Sequence, residues 1–483
     1  MKTALWWIRR DLRLSDNRAL TAALAHSDRV VPVYVLDRDW PAPAEGNQKR
    51  LAFLLGGLHR LNGELCDRGS RLILRRGDAK EELAALLAET GASAIFAEAE
   101  YSPPAMGRDA EVEKALPLRL YDGLTVHPPY VVKQGNGKPY TAYTPFSKAW
   151  QDLPPPPVRD VLRPPARLAP PPEVASLPIP GDTALLSSGL FLPGEAEAQQ
   201  RLQVFVDGVG SEQQQNRAPI YSYDALRNRL DVDSTAQLSP YLSFGMLSAR
   251  QAVVSALSAM DAASNPEAGY SAELWLKALI RREFAISILY HFPQALDQGL
   301  RAESRHMPWE NDPAAFNAWV AGRTGFPLVD AAMRQLVQTG WLPHRARMAA
   351  ASFLVKDLLV DWRWGEQFFL KHLLDGDLAA NNLNWQRAAG SGTGPAAYLG
   401  ILNPVLEGKK YDPNGVYVRR WVPELAGVPA RYIHQPWFMP SDVQRESGCV
   451  IGQDYPAPIL DHGWARDRAL EFFGGAQEPE RLS

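Results

Sequence analysis

The sequence predicts a parallel α/β domain followed by an all-α domain, and three observations predict it. Short apolar runs alternate with amphipathic stretches over the first 130 residues. A proline-dense segment then interrupts all periodicity, and from about residue 198 onward the apolar spacing is helical almost throughout. Strands alternating with helices imply a parallel sheet covered on both faces, whereas uninterrupted helical periodicity implies helix-on-helix packing.

The strand-like runs are 3–8, 30–36 (Val30-Val31-Pro32-Val33-Tyr34-Val35-Leu36), 71–75 and 93–97. They are apolar without alternation, as expected for strands buried on both faces. Between them, 47–69 and 79–90 carry apolar residues at helical spacing, so an α/β domain is placed at 1–130. The connector, 131–197, contains Pro154-Pro155-Pro156-Pro157, Pro164-Pro165 and Pro170-Pro171-Pro172. Proline fixes φ and lacks the backbone donor, so this stretch reads as a semi-rigid linker. The helical domain, 198–475, shows its period over 247–260, 271–291, 327–339, 345–360 and 366–374.

Net charge is −3, so a nucleic-acid partner requires a local basic surface. Four basic groups fall in the helical half: Arg334 with Arg345 and Arg347; Lys277, Arg281 and Arg282; Lys409, Lys410, Arg419 and Arg420; and Arg387. Ten of the 14 tryptophans follow residue 270, which suits a large helical core or a large π-surfaced ligand. The only cysteines, Cys66 and Cys449, are far apart, so neither a disulfide framework nor a metal spacing is expected. No apolar run has membrane-spanning length and no leader is expected, so the expectation is a cytoplasmic protein.

The chemistry-bearing segments read as follows. Asp233-Ser234-Thr235-Ala236-Gln237-Leu238-Ser239-Pro240 places hydroxyls and backbone amides before a helix, either a phosphate cradle or a plain N-cap. Asp375-Gly376-Asp377-Leu378-Ala379-Ala380-Asn381-Asn382-Leu383-Asn384-Trp385 reads as a polar turn with two carboxylates and three amides, able to grip a ring rich in donors and acceptors or simply solvated. The N-terminal domain is Rossmann-like in pattern but has no GxGxxG after its first strand. No HExxH, paired CxxC or Gly-x-Ser-x-Gly elbow occurs, so metal and hydrolase chemistry have little support.

Several of these segments resemble the photolyase/cryptochrome family. Trp7-Ile8-Arg9-Arg10-Asp11-Leu12-Arg13-Leu14-Ser15-Asp16-Asn17 resembles its opening signature. Gly325-Phe326-Pro327-Leu328-Val329-Asp330-Ala331-Ala332-Met333-Arg334-Gln335-Leu336, Ser352-Phe353-Leu354-Val355-Lys356-Asp357, Asp361-Trp362-Arg363 and Asp375–Asn382 resemble its flavin-domain signatures. The likeness is collinear over essentially the whole chain and closest to the bacterial class I cyclobutane pyrimidine dimer photolyases. It implies an antenna domain and a helical domain holding FAD. It places Tyr223, Thr235, Ala236, Leu238 and Ser239 at the FAD phosphates, and Trp275 and Arg282 in the cofactor cavity. Arg347 and Asp375 would pair beside the isoalloxazine, Asp377 would touch the flavin ring or ribose, and Asn381 would face flavin N5. Trp385, Trp362 and Trp309 match the electron chain from flavin to surface. The implied enzyme is a deoxyribodipyrimidine photolyase, a carbon–carbon lyase in which light-excited reduced flavin lends an electron to a lesion flipped out of UV-damaged DNA. No metal is called for, and a monomer is expected.

The lesion pocket departs from that class. Ala278 stands where a lesion-bonding Glu is expected, Arg281 and Arg387 where two lesion-stacking Trp are expected, and Pro343-His344 where a His-Asn pair is expected. Gly400 replaces a DNA-reaching Arg, whereas Arg227 and Arg345 match DNA-contacting positions. His344 matches a histidine of six-four photolyases, whose second histidine is here Met348, so a proton-donor match is half complete. The expectation is therefore a light-driven dimer photolyase, with six-four repair or a cryptochrome-like photoreceptor as alternatives. The resemblance implies an antenna site that holds a deazaflavin, flavin or folate or stands empty, with no folate-binding Glu matched around Ala105 and a helix beginning Leu51–Leu58 that resembles the deazaflavin or flavin type.

Overall fold

Strand β1 (Thr3–Ile8) is buried at every position, which its uninterrupted apolar sequence requires. It lies at the centre of a five-stranded parallel sheet of order β3-β2-β1-β4-β5, with β2 (Arg29–Asp37), β3 (Ile73–Gly77), β4 (Ile95–Glu98) and β5 (Leu118–Tyr121). The register pairs Thr3 with Arg29 and Leu5 with Ile95. The crossovers are α1 (Arg18–His26), α2 (Gln48–Asp67), α3 (Ala79–Thr90) and α4 (Pro103–Ala115). The expected strands are all present; α1, α4 and β5 are additions, β5 being too short and too charged to stand out as an apolar run.

The computed structural model describes residues 2–37, 48–181, 190–208, 218–393 and 400–475; the part of the connector at 182–189 lies outside them. Among the described residues, no helix is long and apolar enough to cross a membrane.

The chain divides into two compact units: Met1–Asp224 with Thr235–Pro293, and Ala225–Ser234 with Gln294–Ser483. The first unit thus takes α5 (Tyr143–Gln151) from the connector and helices from the helical half of the sequence. The latter are α6 (Glu195–Asp207), α8 (Ser239–Phe244), α9 (Ala249–Asp261) and α10 (Pro266–His291), while α7 (Tyr223–Leu226) runs across the boundary between the units. Packing onto the sheet domain is close at the end of α8. Gly245 has φ +67°, and a Cβ there would sit 1.7 Å from the Arg10 carbonyl oxygen, so only glycine fits. The opening signature supplies the matching surface. Asp11 accepts from Trp6 Nε1 (3.1 Å), the Arg9 amide (2.8 Å) and Asn17 Nδ2 (2.9 Å), while Asn17 caps α1 and Arg13 pairs with Glu98 at 2.8 Å. These polar groups are nearly fully buried, and hydrogen bonding is what makes that tolerable.

The second unit is helical: α11 (Pro313–Val320), α12 (Pro327–Thr339), α13 (His344–Ser352), α14 (Trp362–His372), α15 (Leu378–Ala389), α16 (Pro404–Tyr411), α17 (Val416–Trp421), α18 (Ser441–Glu446) and α19 (His462–Gly475). One helix was expected over 345–360. Instead α13 widens into a π-helical turn, Phe353–Asp357, and Leu359 takes φ +51°, which stops the helix and sends the chain into α14. The sequence gives no warning because every residue of that stretch is compatible with an α-helix.

Candidate functional site

In the first unit, Tyr223 and Trp275 flank one ring. Phe205 lies 6.0 Å from Tyr223 and 5.0 Å from Trp275, centroid to centroid. The Thr235–Ser239 segment leads into α8, whose N-cap, Leu238, makes no side-chain capping bond. The segment is therefore not a plain Ser/Thr cap. Gln237 sits at φ +49°, a left-handed conformation that costs a non-glycine residue roughly 1 kcal/mol or more, and Arg201 Nη1 donates to its Oε1 at 3.2 Å. Ala236 and Leu238 are buried, Thr235 is half-buried and Ser239 is exposed. Arg282 spends its guanidinium on the carbonyls of Leu124 (3.0 Å) and Leu242 (3.2 Å). Its neighbour Glu283, not singled out from sequence, is buried and takes the Val126 amide (2.5 Å) and Trp150 Nε1 (2.6 Å). Burial pushes its carboxyl above the usual range, against those donors.

The second unit carries the groups expected around an isoalloxazine and pairs two of them. Arg347 Nη2 meets Asp375 Oδ2 at 2.7 Å, and Arg347 Nε is fixed by the Leu342 carbonyl at 3.0 Å. Asp375 Oδ1 is buried and has no hydrogen-bond partner among the described residues. The segment expected as a turn is instead the start of α15. Asp377 is its N-cap and accepts from the Ala380 amide at 2.9 Å, which puts Asn381 and Asn382 on helical backbone. Asn381 is buried and donates from Nδ2 to the Glu366 carbonyl at 3.0 Å. That bond commits one of its two amide hydrogens and fixes the side chain, whose carbonyl end remains an acceptor.

Glu366 escaped sequence reasoning. Its Oε1 accepts from Asn382 Nδ2 at 3.0 Å, and Asn382 Oδ1 accepts from Gln386 Nε2 at 2.9 Å. Burial raises the Glu366 carboxyl to about 7, opposed by the Asn382 bond. The one signal was its neighbour Gly365, where a Cβ would lie 2.2 Å from the Trp385 ring; a glycine inside a helix marks a close approach.

Trp362 and Trp385 belong to one hydrophobic cluster, and Trp309 packs on it half-buried. Trp385 also meets Phe369 at 5.0 Å and Trp319 at 6.2 Å, both edge-on.

The expected DNA-side residues are more scattered. Ala278, Arg281, His344 and Arg387 are exposed, and Arg227, Arg345 and Met348 are half-buried. Arg281 stacks over Tyr143 at 4.0 Å, and Tyr143 is held by its hydroxyl, which donates to the Lys277 carbonyl at 2.7 Å. Arg345 lies over Tyr411 at 4.7 Å and bonds Asn228 Oδ1 at 3.2 Å. Part of the basic charge is matched internally, Lys277 by Glu273 at 2.7 Å and Arg334 by Glu424 at 2.7 Å. Among the described residues, no three His, Cys, Asp or Glu stand together as a metal ligand set.

Comparison with known proteins settles the family. Residues 4–165 match the DNA photolyase model and residues 275–474 the FAD binding domain of DNA photolyase. The chain belongs to the photolyase/cryptochrome family. It is 40% identical over 474 residues to a deoxyribodipyrimidine photo-lyase of Synechococcus, covering 95% of this chain and 93% of that one. It is 33% identical to cryptochrome-2 of Arabidopsis thaliana, covering 99% of this chain and 80% of that one. A bacterial class III photolyase structure from Agrobacterium tumefaciens superposes with TM-score 0.88 at 35% identity, covering 99% and 98%. An archaeal photolyase from Sulfolobus tokodaii, solved with two FAD molecules, superposes with TM-score 0.78 at 27% identity, covering 98% of this chain and all of that one. These likenesses do not separate class I from its neighbours.

The site residues fit the flavin that this family binds. A buried carboxylate oxygen with no partner among the described residues, beside a guanidinium, is a costly arrangement that a donor-rich ring would relieve.

Proposed function

We propose that the chain is a blue-light-driven DNA photolyase that uses FAD to split UV-induced pyrimidine dimers. The observation that carries this reading is the buried Asp375 Oδ1, which has no partner among the described residues, beside Arg347 and on the same unit as the fixed amide of Asn381.

Bound FAD supplies light absorption and a one-electron donor. The rest falls to this chain's side chains. Asp375 offers a fixed negative acceptor, and Arg347 holds it in place while countering its charge. Asn381 offers an acceptor but no acidic proton, so it holds a reduced ring without protonating it. Asp377 and the backbone of Ala236, Leu238 and Ser239, with Tyr223, Thr235, Trp275 and Arg282, bind the remainder of the cofactor by motif match. Trp309, Trp362 and Trp385 carry electrons inward from the surface. Arg227, Arg281, Arg345 and Arg387 contact the phosphates of UV-damaged DNA, His344 stands at the lesion, and Met348 replaces a second histidine. An antenna chromophore of deazaflavin, flavin or folate type belongs to the sheet domain, the flavin type favoured by the two-FAD relative. The protein works as a cytoplasmic monomer, which its two free cysteines suit.

One observation favours a second reading. Ala278, Arg281 and Arg387 remove the groups expected to grip a cyclobutane dimer, which suits a six-four photolyase or a photoreceptor. A repair assay tests the choice. Flavin-reduced protein is mixed with oligonucleotides carrying a cyclobutane dimer or a six-four photoproduct and illuminated. Loss of the cyclobutane dimer in light and not in darkness is expected. Loss of the six-four lesion alone reassigns the substrate, and loss of neither assigns a sensor.

A further inference from the structure

The last helix covers the outer tryptophan and buries a cation beside it. The Trp309 ring lies 5.4 Å from that of Phe472 and 5.9 Å from that of Phe473, both on α19. Lys356, on the π-helical turn, is 1% exposed, and its Nζ sits 3.5 Å from the centroid of the same Phe473. Helix α19 is fastened over this spot by three bonds. His462 Nδ1 meets Asp357 Oδ1 at 2.5 Å, Arg468 Nη2 donates to the Asp357 carbonyl at 2.6 Å, and Arg468 Nη1 meets Glu310 Oε2 at 2.9 Å.

We propose that Lys356 tunes how readily Trp309 gives up an electron, because its ammonium shares Phe473 with the indole and opposes positive charge there. The proposal rests on the reading of Trp309 as the outer member of the electron chain. In that reading one electron passes from Trp309 to Trp362, from Trp362 to Trp385, and from Trp385 to photoexcited oxidised flavin. The net change is one electron lost by Trp309 and one gained by the cofactor, with no bond made or broken. The positive charge ends on the Trp309 indole.

A cation close to that indole works against this outcome. Two contacts through one phenyl ring keep ammonium and indole within about 10 Å, where a unit charge at an effective dielectric of about 20 shifts an equilibrium roughly tenfold. Among the described residues, the charged groups that pair here are Asp357 on the π-helical turn, His462 and Arg468 on α19, and Glu310 after Trp309; they stand as His462 with Asp357 and Arg468 with Glu310. Burial also lowers the Lys356 ammonium to about 7. Its charge is therefore present in mild acid and gone in mild alkali, and the opposition to an oxidised Trp309 goes with it.

The test uses the full chain loaded with oxidised FAD, a blue flash, and transient absorption of the long-lived tryptophan radical from mildly acidic to mildly alkaline pH. Flavin absorbance checks loading in every variant. Wild type should gain roughly tenfold in yield as pH rises through the Lys356 range. Lys356→Met should be high and flat, Lys356→Arg low and flat, and His462→Asn should keep the wild-type slope. A slope retained in Lys356→Met, or lost in His462→Asn, overturns the proposal. Trp309→Phe separates the two readings. If the radical survives in it, the electron-chain reading fails and takes the proposal with it; if the radical is lost while Lys356→Met keeps the slope, only the proposal fails.

Discussion

The positions matched to the flavin and those matched to the lesion differ in how much the fold constrains them. Asp375, Asp377, Asn381 and Trp385 are each at least nine-tenths buried, and the first three are fixed by named hydrogen bonds. Ala278, Arg281, His344 and Arg387 are exposed. A buried polar group must be paired at every step of a lineage, whereas an exposed one can change at little cost. The exposed lesion-side positions can therefore change without cost to folding, whereas the buried flavin-side positions cannot.

The largest effect that could break this comparison is on the ion pair. Asp375→Ala leaves Arg347 without its partner. Because Arg347 is partly exposed, the cost is about 3 kcal/mol, at the lower end for a broken buried pair. The variant should emerge from gel filtration without flavin; full retention of flavin would refute the role given to Asp375. Next comes Gly365→Ala, whose new methyl meets Trp385 and Leu354. Overpacking of this kind costs roughly 1–3 kcal/mol, and a melting curve should show the loss together with slower photoreduction.

The third prediction is a pH dependence. Glu366 has a folded-state pKa of about 7, raised above its ordinary value of 4.5. The folded state therefore holds a proton that the unfolded state releases first, so this group's contribution is present in acid and is lost as pH rises from about 4.5 to about 7. Glu366→Gln should be more stable than wild type in mild alkali and nearly equal to it in acid, as read by denaturant unfolding. An equal gain at both ends would show that ionisation is not the cause. The smallest effect belongs to Arg281→Ala. Its exposed stack on Tyr143 is worth about 0.5–1 kcal/mol at most. Its loss should weaken DNA binding across sequences and lower the salt slope by about one, without touching flavin content.

The sheet was legible because β1 and β2 are apolar runs with no polar interruption, and their burial follows directly. The flavin-side residues were legible through their motif; their geometry was not. Asp375 to Trp385 read as a turn because two Asp and three Asn lie close together, and only the cap role of Asp377 turns that run into a helix. Glu366 and Lys356 were invisible because single charged residues on helix faces are ordinarily solvated, and their burial arises from packing of elements distant in sequence. The π-helical turn was missed for the same reason: Phe353–Asp357 carries no breaker, and its widening is imposed by the surrounding core.

If electrons enter through half-buried Trp309 and buried Trp362 and Trp385 to a flavin whose reduced form repairs DNA, wild type and Trp385→Phe must differ in one condition only. Wild type and Trp385→Phe are compared on a cyclobutane-dimer oligonucleotide with a thiol reductant in the buffer as the electron source, each starting once from chemically reduced and once from oxidised flavin. The account predicts that both proteins repair the dimer when the flavin starts reduced, and that only wild type does so when it starts oxidised. No repair by either protein from reduced flavin, while wild type still photoreduces, would contradict it.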